Sequence, residues 1–151
     1  MDICFLENLK SLVNTNTQRI SWDTYYMSIA YLISARSCCE RLHVGCVLVK
    51  NNRIISVGYN GFISKAPHIS RVRDGHEQST VHSEINAICH AAKEGISLDG
   101  AIAYITHYPC VNCFKSLVSS GIKQIKYNED YKNDKFVDIM SKENNIPILK
   151  I

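Results

Sequence analysis

The sequence predicts an α/β domain of three layers, α/β/α, in which a mixed five-stranded sheet carries helices on both faces. Three observations carry that expectation. Two runs rich in Val and Ile, residues 43–50 and 53–59, flank the turn signal Asn51-Asn52. A helix-period run precedes them. Beyond residue 80, segments of helical and strand character alternate, the order that feeds parallel pairing through right-handed crossovers. With 151 residues, 46% hydrophobic and 21% charged, the chain has material for one core and too little for two catalytic domains.

In chain order, residues 1–20 read as an appended helix and linker. Leu6, Leu9, Leu12 and Val13 have helical spacing, and the polar run Asn14-Thr15-Asn16-Thr17-Gln18-Arg19 follows. The domain proper is expected over 21–151. Ser21 is a candidate N-cap with Asp23 in the first turn, and Trp22, Tyr25, Tyr26, Ile29, Leu32 and Ile33 recur at helical spacing to about Arg36. Asn51-Asn52 tolerates the positive φ of a tight hairpin, so the two Val/Ile runs pair antiparallel. Residues 60–79 show no period, carry Gly61, Pro67 and Gly75, and mix charges, which marks a long polar loop of the functional kind. Val81, Ile85, Ile88 and Ala92 make an apolar helical stripe with Gly95 as its C′ residue. A strand over 101–106, a helix over 111–120 stopped by Gly121, a strand over 122–127, a helix over 136–142 and a strand over 146–149 complete the chain.

Composition excludes several function classes. The longest apolar stretches, 44–49 and 54–57, fall far short of the roughly 18 residues that cross a bilayer, so no membrane role is expected. The opening Met1-Asp2-Ile3-Cys4-Phe5-Leu6-Glu7-Asn8 has acids where a secretory leader has Lys or Arg, which predicts a cytoplasmic chain. Seven Cys, an odd number without an export signal, argue for a metal or reactive thiol rather than a disulfide framework. The net charge of +3 is scattered without a basic run, weak ground for a nucleic-acid polymer as partner.

The cysteine spacing carries the chemistry. Cys110 and Cys113, in Pro109-Cys110-Val111-Asn112-Cys113, open a helix where i and i+3 share a face and the N-terminus favours thiolate. With His82 they make three ligands. A three-ligand N/S zinc leaves a fourth position for water, as catalytic rather than structural sites do. Glu84, two residues past His82, points elsewhere on its helix and is free to carry protons for an attack that expels an amine. Singly, these residues read otherwise: Cys-x-x-Cys as a structural zinc half-site or redox pair, His82 as a cap or surface residue, Glu84 as a dipole-complementing acid. Together, His-x-Glu opening one helix and Pro-Cys-x-x-Cys opening the next match the arrangement of zinc deaminases of nucleobases.

From residue 22 to about 131 the sequence resembles the deoxycytidylate (dCMP) deaminase family of the cytidine deaminase superfamily. The resemblance is carried by Ser21-Trp22-Asp23-Thr24-Tyr25-Tyr26-Met27, by Arg36-Ser37-Cys38-Cys39-Glu40-Arg41 before Val44-Gly45, and by Gly58-Tyr59-Asn60-Gly61. Thr80-Val81-His82-Ser83-Glu84-Ile85-Asn86-Ala87-Ile88 and Tyr108-Pro109-Cys110-Val111-Asn112-Cys113 complete it. The resemblance implies a cytidine-deaminase-like fold, zinc on His82, Cys110 and Cys113, and Glu84 as proton shuttle. Water activated on the metal would attack C4 of cytosine, releasing ammonia and dUMP for thymidylate synthesis. It also implies that Asn60 contacts the deoxyribose and that Arg41 and Tyr131 contact the phosphate, chemistry that a guanidinium fork and a phenol suit. Otherwise Asn60 only forms a turn, Arg41 is a solvated charge and Tyr131 packs. A homo-oligomer, a hexamer in many members, regulated by dCTP and dTTP near Tyr59, Asn60 and Gly61, is implied as well.

Two departures stand out. Ser83 occupies a position usually Ala, a tolerable change of small residues. Gly75-His76-Glu77-Gln78-Ser79-Thr80 lacks the Cys and Arg of the family's Gly-His-Cys-x-Arg-Thr, which argues against the second, structural zinc of some relatives. Cys39, His68 and His76 are its conceivable ligands and read as ordinary loop and core residues. Cys4, Cys38, Cys46 and Cys89 are expected to be buried small hydrophobes. Three other functions compete with dCMP deamination: deamination of dCTP as well, deamination of cytosine in a polynucleotide, and a zinc-stabilised binding module in which Glu84 only caps a helix. The polynucleotide reading needs aromatic platforms interleaved with basic residues, which the eight Tyr do not supply.

Overall fold

The structure is a computed structural model and describes residues 2–151, so residue 1 of the expected N-terminal segment lies outside it. Helix α1 (Asp2–Thr15) comes first, then α2 (Trp22–Ser34), whose N-cap Ser21 accepts the Thr24 N–H at 3.1 Å as its type requires. Strands β1 (Gly45–Lys50) and β2 (Arg53–Tyr59) pair antiparallel. Asn51 and Asn52 turn between them at φ 50 and 55, both central residues left-handed as the tight hairpin demands.

The segment expected to be one irregular loop is more ordered. It contains β3 (Gly61–Phe62), β4 (Val72–Arg73), β5 (His76–Glu77) and β6 (Thr80–Val81), paired β3 with β6 and β4 with β5. These pairs are two residues long, too short to leave a period in the sequence. Next come α3 (Ser83–Lys93), β7 (Ile102–His107), α4 (Val111–Ser119), β8 (Gln124–Glu129), α5 (Lys135–Glu143) and β9 (Ile148–Lys150). The large sheet runs β2-β1-β7-β8-β9, with β7, β8 and β9 parallel and β1 antiparallel to both of its neighbours. That is the mixed sheet the alternation predicts.

Alternation within strands assigns the layers. Cys46 and Leu48 of β1, Ala103 and Ile105 of β7, and Ile125 of β8 face one side, where Ala87 and Ala91 of α3, Phe114 and Leu117 of α4, and Val137 of α5 cover them. Val47, Val49 and Tyr104 face the other, under Tyr26, Met27 and Ala30 of α2. One helix therefore covers one face and three cover the opposite face. Two glycines let helices approach closely. A Cβ on Gly45 would stand 1.9 Å from the Ala30 carbonyl oxygen of α2, and one on Gly58 would stand 2.2 Å from the Ser83 carbonyl oxygen at the start of α3.

The buried helix stripes differ from those the sequence suggests. In α3 the sheet-facing residues are Ser83, Glu84, Ala87 and Ala91, whereas Ile85 and Ile88 are only half-buried and Ala92 is exposed. Gly58 permits the close approach of β2 to the start of α3, and the residues turned to the sheet there are small apart from Glu84. In α2, Tyr26, Met27, Ala30 and Ser34 are buried, while Trp22, Tyr25 and Leu32 stay substantially exposed. Of the four cysteines expected inside, only Cys46 is buried. Cys4 is on α1, whose described side chains are exposed apart from half-buried Leu9, Cys38 follows the end of α2, and Cys89 lies off the inner stripe of α3. Among the described residues no helix is long and apolar enough to cross a membrane.

Candidate active site

Two helix N-termini meet at the C-terminal end of β7 and build the site. His82 is the N-cap of α3 with no side-chain capping bond, so its ring is available, and Cys110 is the N-cap of α4. The Cys110 Sγ accepts the Cys113 N–H at 3.5 Å. Pro109 before it is buried. Helix N-termini favour negative charge, so both caps present their side chains where thiolates are stabilised.

The His82 Nδ1 stands 3.7 Å from the Cys110 Sγ and 3.3 Å from the Cys113 Sγ, and the three ligand atoms lie within 4.8 Å of one another. Zn–N of about 2.1 Å and Zn–S of about 2.3 Å in a tetrahedron put neighbouring ligand atoms about 3.6 Å apart, so the set fits zinc without rearrangement. Charge is already shared among the three. The hydrogen bond from the Cys113 thiol, then that from His82, hold the Cys110 thiol down to about 4 against the upward push of burial. The same pairing with Cys110, with burial, drives the Cys113 thiol far above its ordinary range. The bond to Cys110 raises His82, against burial.

Glu84 is 4% exposed, and the Ser83 hydroxyl donates to its Oε2 at 2.9 Å. Burial pushes its carboxyl up, against the opposing pull of its own N–H and of His82. A raised carboxyl beside a metal-ligand set holds a proton more readily than an ordinary carboxylate, as a proton carrier needs. Glu84, His82 and Cys110 line a cavity of about 310 Å³. Leu42, Val44, Tyr108 and Val111 give it apolar walls, and Arg41, Lys132, Glu77 and Asp134 place charge around it.

A family model described as the cytidine and deoxycytidylate deaminase zinc-binding region matches residues 20–129. The chain belongs to the deoxycytidylate deaminase family. It is therefore a deaminase, a hydrolase. It is 38% identical over 138 residues to ComE operon protein 2 of Bacillus subtilis, covering 89% of this chain and 73% of that one. It is 37% identical over 135 residues to the deoxycytidylate deaminase of Schizosaccharomyces pombe, covering 82% of this chain and 42% of that longer protein. The crystal structure of the dCMP deaminase of cyanophage S-TIM5, in complex with dCMP and dUMP, superposes with a TM-score of 0.79 at 30% identity, over 89% of this chain and 99% of that one.

In this deaminase the other residues singled out from sequence separate into two groups. Asn60, Arg41 and Tyr131 all line the cavity; Tyr59 and Gly61 do not. Asn60 is 7% exposed, its Oδ1 accepting the Val44 N–H at 2.8 Å and its Nδ2 donating to the Leu42 carbonyl at 2.7 Å. It braces the loop between α2 and β1, and one Nδ2 hydrogen is left without a partner among the described residues. Arg41 donates to the Gly75 carbonyl, tying that loop to the β4–β5 hairpin. Gly61 pairs with Val81, and the Tyr59 carbonyl accepts from the Asn86 side chain at 2.8 Å.

Among the described residues His82, Cys110 and Cys113 are the one group of three that fits a metal; Cys39, His68 and His76 form none, and His68 stacks on Phe62. Among the cavity residues that escaped the sequence reading are His107, Lys132 and Asp134. The signal for His107 was available: a polar residue ending an apolar strand, three residues before Cys110. Lys132 left none, because its place at the cavity depends on the turn after β8, where it takes φ 46.

Proposed function

We propose that this protein deaminates dCMP to dUMP and ammonia, with zinc held by His82, Cys110 and Cys113 and with Glu84 carrying the protons. The observation that carries the reading is a buried, raised carboxyl lining the same cavity as His82 and Cys110, which with Cys113 behind them form a ligand set of zinc-like separations. When bound, zinc supplies a Lewis acid that lowers the pKa of water toward about 7. The remaining work belongs to the chain. The reaction forms a C4–O bond and breaks C4–N. Glu84 takes one proton from the attacking water and passes it to N3 of the ring, then takes the proton left on the C4 hydroxyl and passes it to the departing amine, and burial lets it hold each between those acts. The apolar walls at Val44 and Val111 exclude bulk water from the base. Asn60 offers its remaining N–H to the deoxyribose.

Arg41 and Tyr131 receive the phosphate, a fork and a hydroxyl donor. The carboxylates of Glu77 and Asp134 share that cavity lining, and the Ser70 hydroxyl and the Ser79 and Arg71 N–H groups hold Glu77 down to about 2, so it stays charged. Fixed negative charge beside the cations suits one phosphate and opposes a longer polyphosphate, which favours dCMP over dCTP. The relatives' names and the dCMP and dUMP in the cyanophage complex support the same choice. On this reading the catalytic domain is 21–151 with α1 appended. The enzyme is a cytoplasmic homo-oligomer, a hexamer, and dCTP activates and dTTP inhibits it near Tyr59, Asn60 and Gly61.

The test is to incubate the zinc-loaded protein with dCMP, dCDP, dCTP, deoxycytidine and CMP, with and without added dCTP, and follow loss of the cytosine absorbance band. Turnover is expected with dCMP first. Absence of turnover with all five would remove the proposal, and a preference for dCTP would overturn the phosphate argument.

A further inference from the structure

We infer that His107 is a positioning residue, held as a neutral Nε2–H imidazole by Thr106 and facing Glu129, whose ring seats Tyr131 at the phosphate end of the cavity. The inference rests on the function proposed above. His107 ends β7, is 9% exposed and lines the cavity together with Tyr131. The hydroxyl oxygen of Thr106, fully buried, receives the Gly45 N–H at 3.1 Å and lies 2.9 Å from the His107 Nδ1. Among the described residues that hydroxyl reaches no other acceptor, so its hydrogen goes to Nδ1 and the ring proton sits on Nε2.

The Nε2 side faces the Glu129 carboxylate at 3.7 Å. Glu129 is anchored in turn: its Oε1 lies 2.7 Å from the Tyr31 hydroxyl of α2, and its carbonyl accepts the Tyr108 N–H at 2.9 Å. Burial lowers the tendency of His107 to take a second proton. The imidazole thus has Thr106 of its own strand on one nitrogen and faces Glu129 of β8 on the other, with Tyr31 of α2 holding Glu129.

The Tyr131 ring meets that imidazole edge to face, with centroids 6.1 Å apart at 86°. The Lys132 ammonium lies 5.7 Å from the same ring centroid. The Tyr131 backbone is pinned by its own N–H to the Asn133 Oδ1 at 3.0 Å. A half-exposed tyrosine at a cavity mouth would otherwise sample several rotamers, and each donor held in place ahead of binding lowers the ordering cost that the ligand meets. His107 therefore acts through Tyr131 on capture of the nucleotide and not on the chemical step.

The experiment separates KM from kcat. With wild type turning over dCMP, His107→Ala is expected to raise KM for dCMP about tenfold, with kcat within about twofold and zinc content unchanged. In a Tyr131→Ala background the same change should raise KM by less than about twofold, since the group it positions is gone. His107→Gln, which keeps an acceptor and a donor, should recover part of the KM and stands in if the alanine variant does not fold. An unchanged KM, a fall confined to kcat or to bound zinc, or independent multiplication of the two substitutions would overturn the positioning role. Wild type inactive on dCMP would instead count against the function proposed above.

Discussion

At the residue scale the proposed function divides labour between groups that hold and a group that moves protons. Glu84→Gln preserves shape and one hydrogen-bond acceptor but cannot take a proton. It is expected to lower kcat by about 10²–10⁴ while metal analysis still finds one zinc per chain. Full turnover in that variant would leave Glu84 as a helix cap only. Cys113→Ser should fail on both counts, with loss of bound zinc and loss of turnover together, because a hydroxyl is a poor substitute for a thiolate on zinc. Ligand types and their spacing are legible in the chain itself, since metal chemistry constrains residue identity directly. The cavity roles of His107 and Lys132 are not, because histidine and lysine are ordinary surface residues until a strand end and a turn bring them to one wall.

At the scale of elements, the helices are clamped to the sheet by glycine contacts and by one polar latch. Gly58→Ala puts a methyl group into the Ser83 carbonyl and the Ala87 backbone, so a loss of about 1–3 kcal/mol is expected in denaturant unfolding. The latch joins α2 to β7 and β8. Asp23 accepts from Lys126 at 2.6 and 2.8 Å and from the Tyr104 hydroxyl at 2.7 Å. Burial alone would raise the Asp23 carboxyl, but these partners outweigh it and hold it below its ordinary value. A depressed carboxylate stabilises the fold above its unfolded pKa of about 3.9, and the contribution vanishes as pH falls through the lower folded value. Asp23 is 38% exposed on its side chain, which limits the gain to about 1 kcal/mol or less. Asp23→Asn should therefore melt a few degrees lower at neutral pH and converge with wild type in strong acid. Beside the latch, the Tyr26 hydroxyl is buried with no hydrogen-bond partner among the described residues. Tyr26→Phe is expected to hold stability or raise it by about 1 kcal/mol, measured by the unfolding midpoint.

At the scale of the whole molecule, ligand binding at the site would be linked to folding, because the His82, Cys110 and Cys113 set spans the starts of α3 and α4 and the cavity beside it reaches the loops after α2 and β8. As the proposed product, dUMP should bind only the folded form and raise the melting temperature, a hundredfold excess over its Kd adding about 2.7 kcal/mol of stability. A stripping chelator should lower the melting temperature and abolish that response to dUMP. A chelator-treated protein that melts unchanged would show that the three ligands carry no metal in solution.

The sequence by itself determined the layer order, the hairpin at Asn51-Asn52, the glycine stops at Gly95 and Gly121, and the four residues, His82, Glu84, Cys110 and Cys113, from which the proposed chemistry is built. Those features follow from local backbone preference, from hydrophobic period, and from the narrow choice of side chains that ligate a soft metal or shuttle a proton. Only the tertiary structure decided which helix faces turned inward, which cysteines reached solvent, and that His107, Tyr131 and Lys132 meet. Such contacts depend on how closely two backbones approach and on where a turn aims its side chains, distances that no run of residues encodes until the sheet has assembled.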